Sequence, residues 1–331
     1  MVLSTEKQRA GRNRTVTLSE AEYIQYASRL VRAPFNSESV LLNRIVHGDI
    51  IDVIDTVPRN SVDLLFLDPP YNLSKDFHGL TFNGTDVDSY TLWFDSWFGR
   101  LMPTLKPNAS VYVCGDWKTS ISIHTVLSKY LIIQNRITWE REKGRGAKAN
   151  WKNSCEDIWF ATKSKQYTFN PDAVKLKRRV IAPYREDGKP KDWEETKGGN
   201  FRETYPSNLW TDISVPFWSM PENTDHPTQK PEKLVAKIIL ASTNEGDVVF
   251  DPFVGSGTTA VVAKKLNRNF IAVDCNEGYG CLALKRLEMA ETDKSIQGYT
   301  DGVFWERNTL AFQKQKEKKG EESNEASIFS L

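Results

Sequence analysis

The sequence predicts an α/β fold in which helices cover both faces of a mostly parallel sheet. Residues 62–67 are an apolar run interrupted only by Asp63, typical of a strand that is buried on both faces. Residues 247–274 read as a strand, a Gly-rich turn, a helix and a second strand, which is the repeating unit of parallel sheets. A chain of 331 residues is long enough to bury one such core.

The N-terminal segment, residues 1–44, is predicted to be a basic arm followed by a helix. Its first 17 residues contain one acidic residue and four basic ones, Lys7, Arg9, Arg12 and Arg14. We expect this arm to be mobile, because it is polar and has few apolar side chains to bury. Ser19 then precedes apolar residues at helical spacing, which predicts a capped helix over 19–32.

Residues 45–162 alternate between strand and helix patterns. The predicted strands are 45–47, 62–67, 110–114, 131–139 and 156–161, and the predicted helices are 50–55, 88–105 and 119–129. Aromatic residues in the helix at 88–105 repeat on one side, which indicates packing against a core.

Residues 163–225 lose this rhythm and are rich in Pro and Gly, which predicts a loop-rich region. The overlapping stretch 141–202 contains 16 Lys or Arg against 9 Asp or Glu, although the whole chain has a net charge of only +1. Such a patch, interleaved with aromatic residues, favours binding to nucleic-acid phosphates, with loop side chains reading base edges. A solvated insertion is the alternative.

Regular patterns return in residues 226–292. A helix is predicted around 231–239, followed by a strand at 248–250, a helix at 258–266, a strand at 270–273 and a helix at 277–291. Residues 293–331 are expected to be a charged tail.

The overall composition is that of a globular protein, with 39% hydrophobic and 26% charged residues. The four cysteines form no CxxC pair, and with four scattered histidines they show no metal-ligand spacing. No run approaches 18 apolar residues, and the N-terminus has no apolar core of a signal peptide. We therefore expect a soluble cytoplasmic protein with no metal and no membrane contact.

The strand at 62–67 ends in Asp68, Pro69, Pro70 and Tyr71. The two prolines stiffen the backbone, and the Pro69 carbonyl is free to accept a hydrogen bond. Asp68 and this carbonyl would accept the two hydrogens of an exocyclic amine, such as that of adenine or cytosine. Tyr71 would stack on the base. A plain turn after a strand is the alternative reading.

The second motif follows the strand that ends at Asp251. Gly255 and Gly257 would let the backbone approach a ligand closely, and Thr258 would open a helix whose N-terminus offers free N–H groups. Asp274 ends the next strand, where an acidic side chain can accept both hydroxyls of a ribose. Because the motif is not GxGxxG, a nucleoside-like cofactor is favoured over a dinucleotide.

Three motifs in this order resemble the β group of DNA amino-methyltransferases: Asp68-Pro-Pro-Tyr71, His226-Pro-Thr-Gln-Lys-Pro231 and Phe253-Val-Gly-Ser-Gly257. The similarity covers roughly residues 43–290. It implies a Rossmann-like, S-adenosylmethionine-dependent methyltransferase fold with a mostly parallel seven-stranded sheet. It also implies a circular permutation that places the catalytic motif before the cofactor motif.

The resemblance implies that S-adenosyl-L-methionine is the cofactor and that adenine N6 or cytosine N4 in duplex DNA is methylated. By this resemblance the catalytic residues are Asp68, Pro69, Pro70 and Tyr71. Lys230 would line the methionine end of the cofactor, and Asp49 would lie near its adenine. The remaining expected cofactor residues are Asp251, Pro252, Phe253, Gly255, Ser256, Gly257, Thr258 and Asp274.

The basic region 163–225 falls where the group keeps its target-recognition region, and Lys177, Arg178 and Arg179 are the expected DNA contacts. Since an amine inside a base pair cannot reach the methyl group, the target base should be flipped out of the duplex. Whether residues 1–17 touch DNA is left open. Dimers occur in the group, but no feature of this chain specifies one.

Asp at the position of Asp68 is more usual in this group for adenine and Ser for cytosine, so adenine is preferred and cytosine N4 is the alternative. RNA and protein-glutamine methyltransferases more often carry Asn there and lack the 226–231 segment. Cys114 lacks a Pro-Cys setting, which disfavours cytosine-C5 chemistry. A dehydrogenase would need a phosphate-binding GxGxxG motif and a His or Lys at the hydride site, and neither is apparent in this sequence. A catalytically silent DNA-binding relative is a more remote alternative, which turnover would decide.

The sequence thus predicts an adenine-N6 DNA methyltransferase. By resemblance it would be the modification partner of a restriction endonuclease with the same recognition site. An orphan or phage-encoded enzyme is the alternative.

Overall fold

The computed structural model describes residues 10–34, 41–73, 75–77, 80–82, 84–141, 149–180, 185–187, 189–196, 199–307 and 309. Lys7 and Arg9 of the predicted arm, and the charged run of the predicted tail, lie outside the described residues.

The first half of the chain alternates strands and helices largely as predicted, but the helix predicted over 19–32 ends at Ala27, and Val31–Arg32 form a strand. Its elements are α1 (Glu20–Ala27), β1 (Val31–Arg32), β2 (Arg44–His47), α2 (Ile50–Val53), β3 (Val62–Leu67), β4 (Lys75–Phe77), β5 (Leu80–Phe82), α3 (Val87–Leu101), β6 (Leu105–Gly115), α4 (Ser120–Tyr130), β7 (Ile132–Glu140) and β8 (Cys155–Thr162). Short 3₁₀ turns extend α2 over Ile54–Thr56 and α3 over Met102–Thr104.

The second half contains short strands followed by three longer helices. Its elements are β9 (Leu176–Arg179), β10 (Arg185–Glu186), β11 (Lys189–Pro190), β12 (Glu194–Thr196), β13 (Gly199–Thr204), β14 (Leu209–Trp210), α5 (Glu232–Ser242), β15 (Val248–Asp251), α6 (Thr258–Lys265), β16 (Asn269–Asp274), α7 (Glu277–Thr292), β17 (Tyr299–Thr300) and β18 (Val303–Trp305). A 3₁₀ turn covers Pro171–Val174.

The main sheet has the strand order β1-β2-β16-β15-β3-β6-β8-β7-β14 among the described residues. All neighbours from β1 to β6 are parallel, β8 is antiparallel to β6 and β7, and β14 is parallel to β7. The predicted mostly parallel α/β sheet is therefore confirmed. The predicted count of seven strands is exceeded because a two-residue strand extends each edge.

Helices pack on both faces of this sheet, as the mostly apolar pattern of β3 predicted. Leu64 and Phe66 point into a core shared with α5, α6 and α7. Leu65 and Leu67 point into a second core, shared with α3 and α4. All six β3 residues are buried, because a strand between two helical layers has no solvent face.

A second sheet corrects two sequence predictions. It has the order β12-β13-β9-β18-β17, so the region 163–225 contains paired strands and is not purely loops. The prediction of a charged tail from residue 293 is wrong for residues 299–305, since β17 and β18 belong to this sheet and Phe304 and Trp305 are buried. The burial of these apolar side chains outweighs the polar character of the surrounding sequence.

The predicted mobility of the arm also fails at its C-terminal end. The Arg14 backbone N–H donates to the Trp218 carbonyl (2.7 Å), and the Val16 N–H donates to the Asn223 carbonyl (2.7 Å). Val16 is buried and forms a parallel bridge with Thr224. Residues 14–16 are thus docked on the segment that leads to 226–231.

Across the described residues, the helices are too short or too polar to cross a membrane.

Candidate active site

The predicted site residues meet at one edge of the main sheet. β2, β16, β15 and β3 are consecutive parallel strands, so their C-terminal ends lie side by side. Asp68 follows β3, Asp251 ends β15, Asp274 ends β16, and Asp49 comes two residues after β2. Ligands of open parallel sheets bind at such an edge, where loops and helix N-termini converge.

Asp68 is surrounded by hydrogen-bond donors. The Tyr71 hydroxyl donates to Asp68 Oδ1 (3.1 Å), and the Lys230 ammonium donates to Asp68 Oδ2 (2.6 Å). The Pro70 carbonyl accepts from the Tyr90 hydroxyl (2.9 Å), whereas no described group donates to the Pro69 carbonyl. The stiff turn therefore presents a carboxylate and a backbone acceptor side by side.

Burial keeps the Tyr71 hydroxyl protonated. Desolvation, followed by the charges of Asp68 and Glu156, raises the pKa of Tyr71 well above its ordinary value. The hydroxyl is therefore a donor at all physiological pH values. The Lys230 ammonium lies 5.5 Å from the Tyr71 ring centre, and the ring packs against the core shared with α5, α6 and α7.

Lys230 was expected to line the methionine end of the cofactor, but its side chain lies against the Asp68–Tyr71 motif. Its ammonium contacts Asp68 Oδ2, lies 3.3 Å from Glu156 Oε2 and donates to the Tyr71 hydroxyl at 3.3 Å. Burial alone would lower the pKa of Lys230, but the two carboxylates outweigh burial and raise it. Lys230 thus stays charged, and its side chain is directed to Asp68.

Sequence reasoning missed Glu156 and Arg141. Glu156 lies on β8, is 4% exposed, and pairs with the Arg141 guanidinium through its other oxygen, Oε1. The available signal was a pair of acidic residues, Glu156 and Asp157, inside a strand pattern that is otherwise largely apolar. Buried charges are rare unless they are paired, so such a pattern marks a candidate site.

The Gly-rich turn adopts conformations that require glycine. Gly255 and Gly257 have φ values of +53° and +88°. A Cβ at Gly255 would lie 2.9 Å from the His226 ring, and one at Gly257 would lie 2.5 Å from Ala283 Cβ. The turn can therefore pack this closely against α7 and the 226–231 segment only without side chains.

Two carboxylates brace this turn. The Gly255 N–H donates to Asp274 Oδ2 (2.8 Å), and the Phe253 N–H donates to Asp251 Oδ1 (2.9 Å). Burial raises the pKa of Asp251 to about 7, against the opposing effect of hydrogen bonds from Thr259 and Phe253. Burial also raises the pKa of Asp274 to about 6.

Arg286 supports the turn from behind. It donates to the Ser256 carbonyl (2.9 Å) and to Thr258 Oγ1 (3.1 Å), and it pairs with Glu232 (2.8 Å). Ser256 and Thr258 are themselves buried, so they shape the turn. Sequence reasoning did not find Arg286, because it lies inside the ordinary helical pattern of α7.

The remaining predicted cofactor residues take distinct places. Pro252 is buried, and Phe253 packs edge-on against Trp97 with ring centres 5.2 Å apart. Asp49 is exposed and caps α2 by accepting from the Ile51 N–H (2.9 Å).

The predicted DNA contacts need a correction at Lys177. Lys177 is 5% exposed, pairs with Glu194 (3.4 Å) and lies over the Trp305 ring, so it cannot reach a phosphate. Arg178 is partly exposed and pairs with Glu306 (2.9 Å). Arg179 is exposed. Lys177 and Arg179 lie on the same face of β9, because strand side chains alternate, so their difference in exposure follows from their position along the strand, which is buried at its start and exposed at its end.

Cys114 is unsuited to nucleophilic chemistry. It is buried near the end of β6, and desolvation, with the charge of Asp68, raises the pKa of its thiol well above the ordinary value. The thiol stays protonated, and only the thiolate is a nucleophile. Among the described residues, no group of His, Cys, Asp or Glu side chains could hold a metal ion.

Residues 62–285 match a family model described as DNA methylase. The DNA adenine methyltransferase YhdJ of Escherichia coli (strain K12) is 36% identical over 253 residues, covering 74% of this chain and 83% of that protein. The type II methyltransferase M.HpaI of Haemophilus parainfluenzae is 35% identical over 248 residues, 74% of each chain. The crystal structure of an M1.HpyAVI–SAM complex matches with a TM-score of 0.52 and 26% identity, covering 73% of this chain and 98% of that one.

Proposed function

The chain belongs to the DNA methylase family, and from this premise we propose that it transfers a methyl group from S-adenosyl-L-methionine to N6 of adenine in duplex DNA. One observation carries the proposal. Lys230 joins the two motifs, because its ammonium contacts Asp68 and its carbonyl accepts from Thr258 Oγ1 (3.1 Å). An amine held at Asp68 and a cofactor held at the Gly-rich turn would therefore meet.

The residues at the turn fit a nucleoside cofactor. The left-handed glycines let a ligand approach the backbone, and Asp274 lies at the strand end with lone pairs left for ribose hydroxyls. Asp49 would lie on the adenine side. S-adenosyl-L-methionine, when bound, supplies a methyl group on a positively charged sulfur.

The catalytic role of the protein is to hold the amine. Asp68 and the Pro69 carbonyl would accept its two hydrogens and turn the nitrogen lone pair toward the Gly-rich turn. Tyr71 would stack on the base. As the nitrogen gains the methyl group it loses a proton, and Asp68 is the carboxylate placed to accept it. Positioning and electrostatics carry most of the rate enhancement.

Two observations support adenine as the target. Asp68 stands at the motif position that the sequence reading associates with adenine, and the relative from E. coli is a DNA adenine methyltransferase. The base must leave the helix to reach Asp68, so the reaction requires base flipping.

The enzyme's companion would be a restriction endonuclease that recognises the same DNA site. The support is that M.HpaI is a type II methyltransferase. The two proteins would share a DNA site and need not contact each other.

Sequencing of genomic DNA from a methylation-free host that expresses the chain tests the proposal. N6-methyladenine within one short motif is the expected result. N4-methylcytosine would overturn the assignment of the base and leave the fold and the cofactor assignment intact. Unmodified DNA, with the protein folded and S-adenosyl-L-methionine bound, would overturn the proposed activity.

A further inference from the structure

Two carboxylates at the active site, the partly buried Asp68 and the buried Glu156, face the same two donors. The Lys230 ammonium lies 2.6 Å from Asp68 Oδ2 and 3.3 Å from Glu156 Oε2. The Tyr71 hydroxyl lies 3.1 Å from Asp68 Oδ1 and 3.3 Å from Glu156 Oε2. In both cases Asp68 is the nearer acceptor and Glu156 the farther one.

This arrangement presents a difficulty for the proposed reaction. Both oxygens of Asp68 already accept hydrogen bonds, one from Tyr71 and one from Lys230. An incoming amine hydrogen would share an Asp68 oxygen with one of these donors, which weakens that donor's bond, or displace the donor. A buried donor that loses its acceptor is costly, because no water replaces the lost bond.

Glu156 offers these donors a second acceptor. Its Oε1 is held by the Arg141 guanidinium, which leaves Oε2 directed toward Lys230 and Tyr71. Its side chain is 5% exposed, so Oε2 faces the protein interior. The negative charge matters, because a carboxylate binds an ammonium more strongly than a neutral acceptor does.

We propose, resting on the proposed methyl transfer, that Glu156 is a positioning residue that receives the Tyr71 hydroxyl and the Lys230 ammonium as the target amine binds Asp68. A small shift of the two donors lets Asp68 accept an amine hydrogen without leaving a buried donor unpaired. Arg141 anchors Glu156 so that its Oε2 stays within reach.

The neighbouring Asp157 provides a matched control. It is also a buried carboxylate on β8, but it points to the opposite side of the strand, where Thr138 (2.9 Å) and Ser120 (3.1 Å) donate to it. Asp157→Asn makes the same chemical change one residue away and outside the cluster. It reports the cost of neutralising a buried acid in this strand.

The test compares Glu156→Gln, Glu156→Asp and Asp157→Asn with the wild type in single-turnover methylation of a duplex containing the target adenine. Glu156→Gln should slow methyl transfer about 10- to 100-fold, the size expected from a misplaced reacting group. Its dissociation constant for S-adenosyl-L-methionine and its melting temperature should stay close to those of the wild type. Glu156→Asp should recover part of the rate, and Asp157→Asn should react at nearly the wild-type rate.

A double-mutant cycle with Tyr71→Phe tests the route of the effect. If Glu156 acts by receiving the Tyr71 hydroxyl, its neutralisation should cost less in the Tyr71→Phe background than in the wild type. Additive losses would show that Glu156 does not act through Tyr71, and would overturn that part of the proposal.

Three results would contradict the role of Glu156. Wild-type rates in Glu156→Gln would show that its charge is dispensable. If Glu156→Gln weakens cofactor binding by the same factor as it lowers the rate, Glu156 acts on the cofactor and not on the amine. Equal losses in Glu156→Gln and Asp157→Asn would indicate general damage to β8. A wild-type enzyme that methylates no DNA would instead refute the proposed function, so the two failures are distinguishable.

Discussion

The Thr258 hydroxyl donates to the backbone carbonyl of Lys230 across 3.1 Å. This bond fastens the segment that carries the Lys230 ammonium to the first residue of α6, where the Gly-rich turn ends. The position of Lys230 relative to Asp68 therefore depends on the conformation of the turn. The Asp68–Tyr71 motif and the Gly-rich turn are therefore parts of one structural unit.

Removing the Asp68 carboxylate should separate catalysis from cofactor binding. We expect Asp68→Ala to lower the methylation rate by more than about 100-fold, because the amine loses the group that orients it. Lys230 retains Glu156 as a partner, so the fold should persist. Radiolabelled methyl transfer and calorimetric titration of S-adenosyl-L-methionine measure the two properties. If Asp68→Ala loses cofactor binding together with the methylation rate, Asp68 belongs to the cofactor site and the two sites were assigned the wrong way round.

Adding a methyl group at Gly257 should disrupt the turn. Its φ is +88°, and the new Cβ would lie 2.5 Å from Ala283 Cβ. We expect Gly257→Ala to weaken cofactor binding and to lower the free energy of unfolding by about 2 kcal/mol or more. Gly302 is a matched control, since its φ is +77° but nothing lies near the added Cβ. If Gly257→Ala and Gly302→Ala lose equal stability, backbone strain alone is responsible and the contact with Ala283 is not.

The raised pKa of Asp251 predicts a pH-dependent stability. With a pKa of about 7, folded Asp251 holds a proton that the unfolded chain releases near its ordinary value of 3.8. This contribution to stability is full below the unfolded pKa and is lost as pH rises through about 7. Asp251→Asn cannot titrate, and its Oδ1 can still accept from the Phe253 N–H.

The stability of Asp251→Asn relative to the wild type should therefore increase from pH 5 to pH 8, by about 2 kcal/mol. Urea unfolding of both proteins at the two pH values measures this change. A difference that does not vary with pH would mean that Asp251 is ionised throughout the range.

Neighbouring basic residues on β9 should respond differently to neutralisation. Arg179 is exposed, so Arg179→Gln should weaken DNA binding and reduce the slope of log affinity against log salt by about 1. Lys177 is buried against Trp305, so Lys177→Gln should lower the melting temperature and leave the slope unchanged. DNA-binding titrations of Arg179→Gln and Lys177→Gln at several salt concentrations measure both slopes. An unchanged slope in Arg179→Gln would place the DNA surface elsewhere.

Much of the architecture followed from local patterns. β3 begins and ends where its mostly apolar run does, because a strand covered on both faces admits a polar side chain only where it is paired, as Asp63 is with Lys106 (2.7 Å). The Gly-rich turn was recognisable because positive φ angles and close packing against Ala283 admit only glycine. The strands at 299–305 were missed because their partner β9 lies far away in the chain. Pairing with it depends on tertiary contacts that no short window contains.

For this protein, the sequence by itself determined the alternation of strands and helices, and with it the edge where Asp68, Asp251 and Asp274 meet. Short-range periodicity is enough for that, since parallel strands that are joined by helices all end on the same side of the sheet. Only the tertiary structure decided which charges face one another there. It placed Lys230 between Asp68 and Glu156, buried Lys177, and set Arg286 behind the turn. Such pairings depend on distance and burial in three dimensions, and residue type does not encode either one.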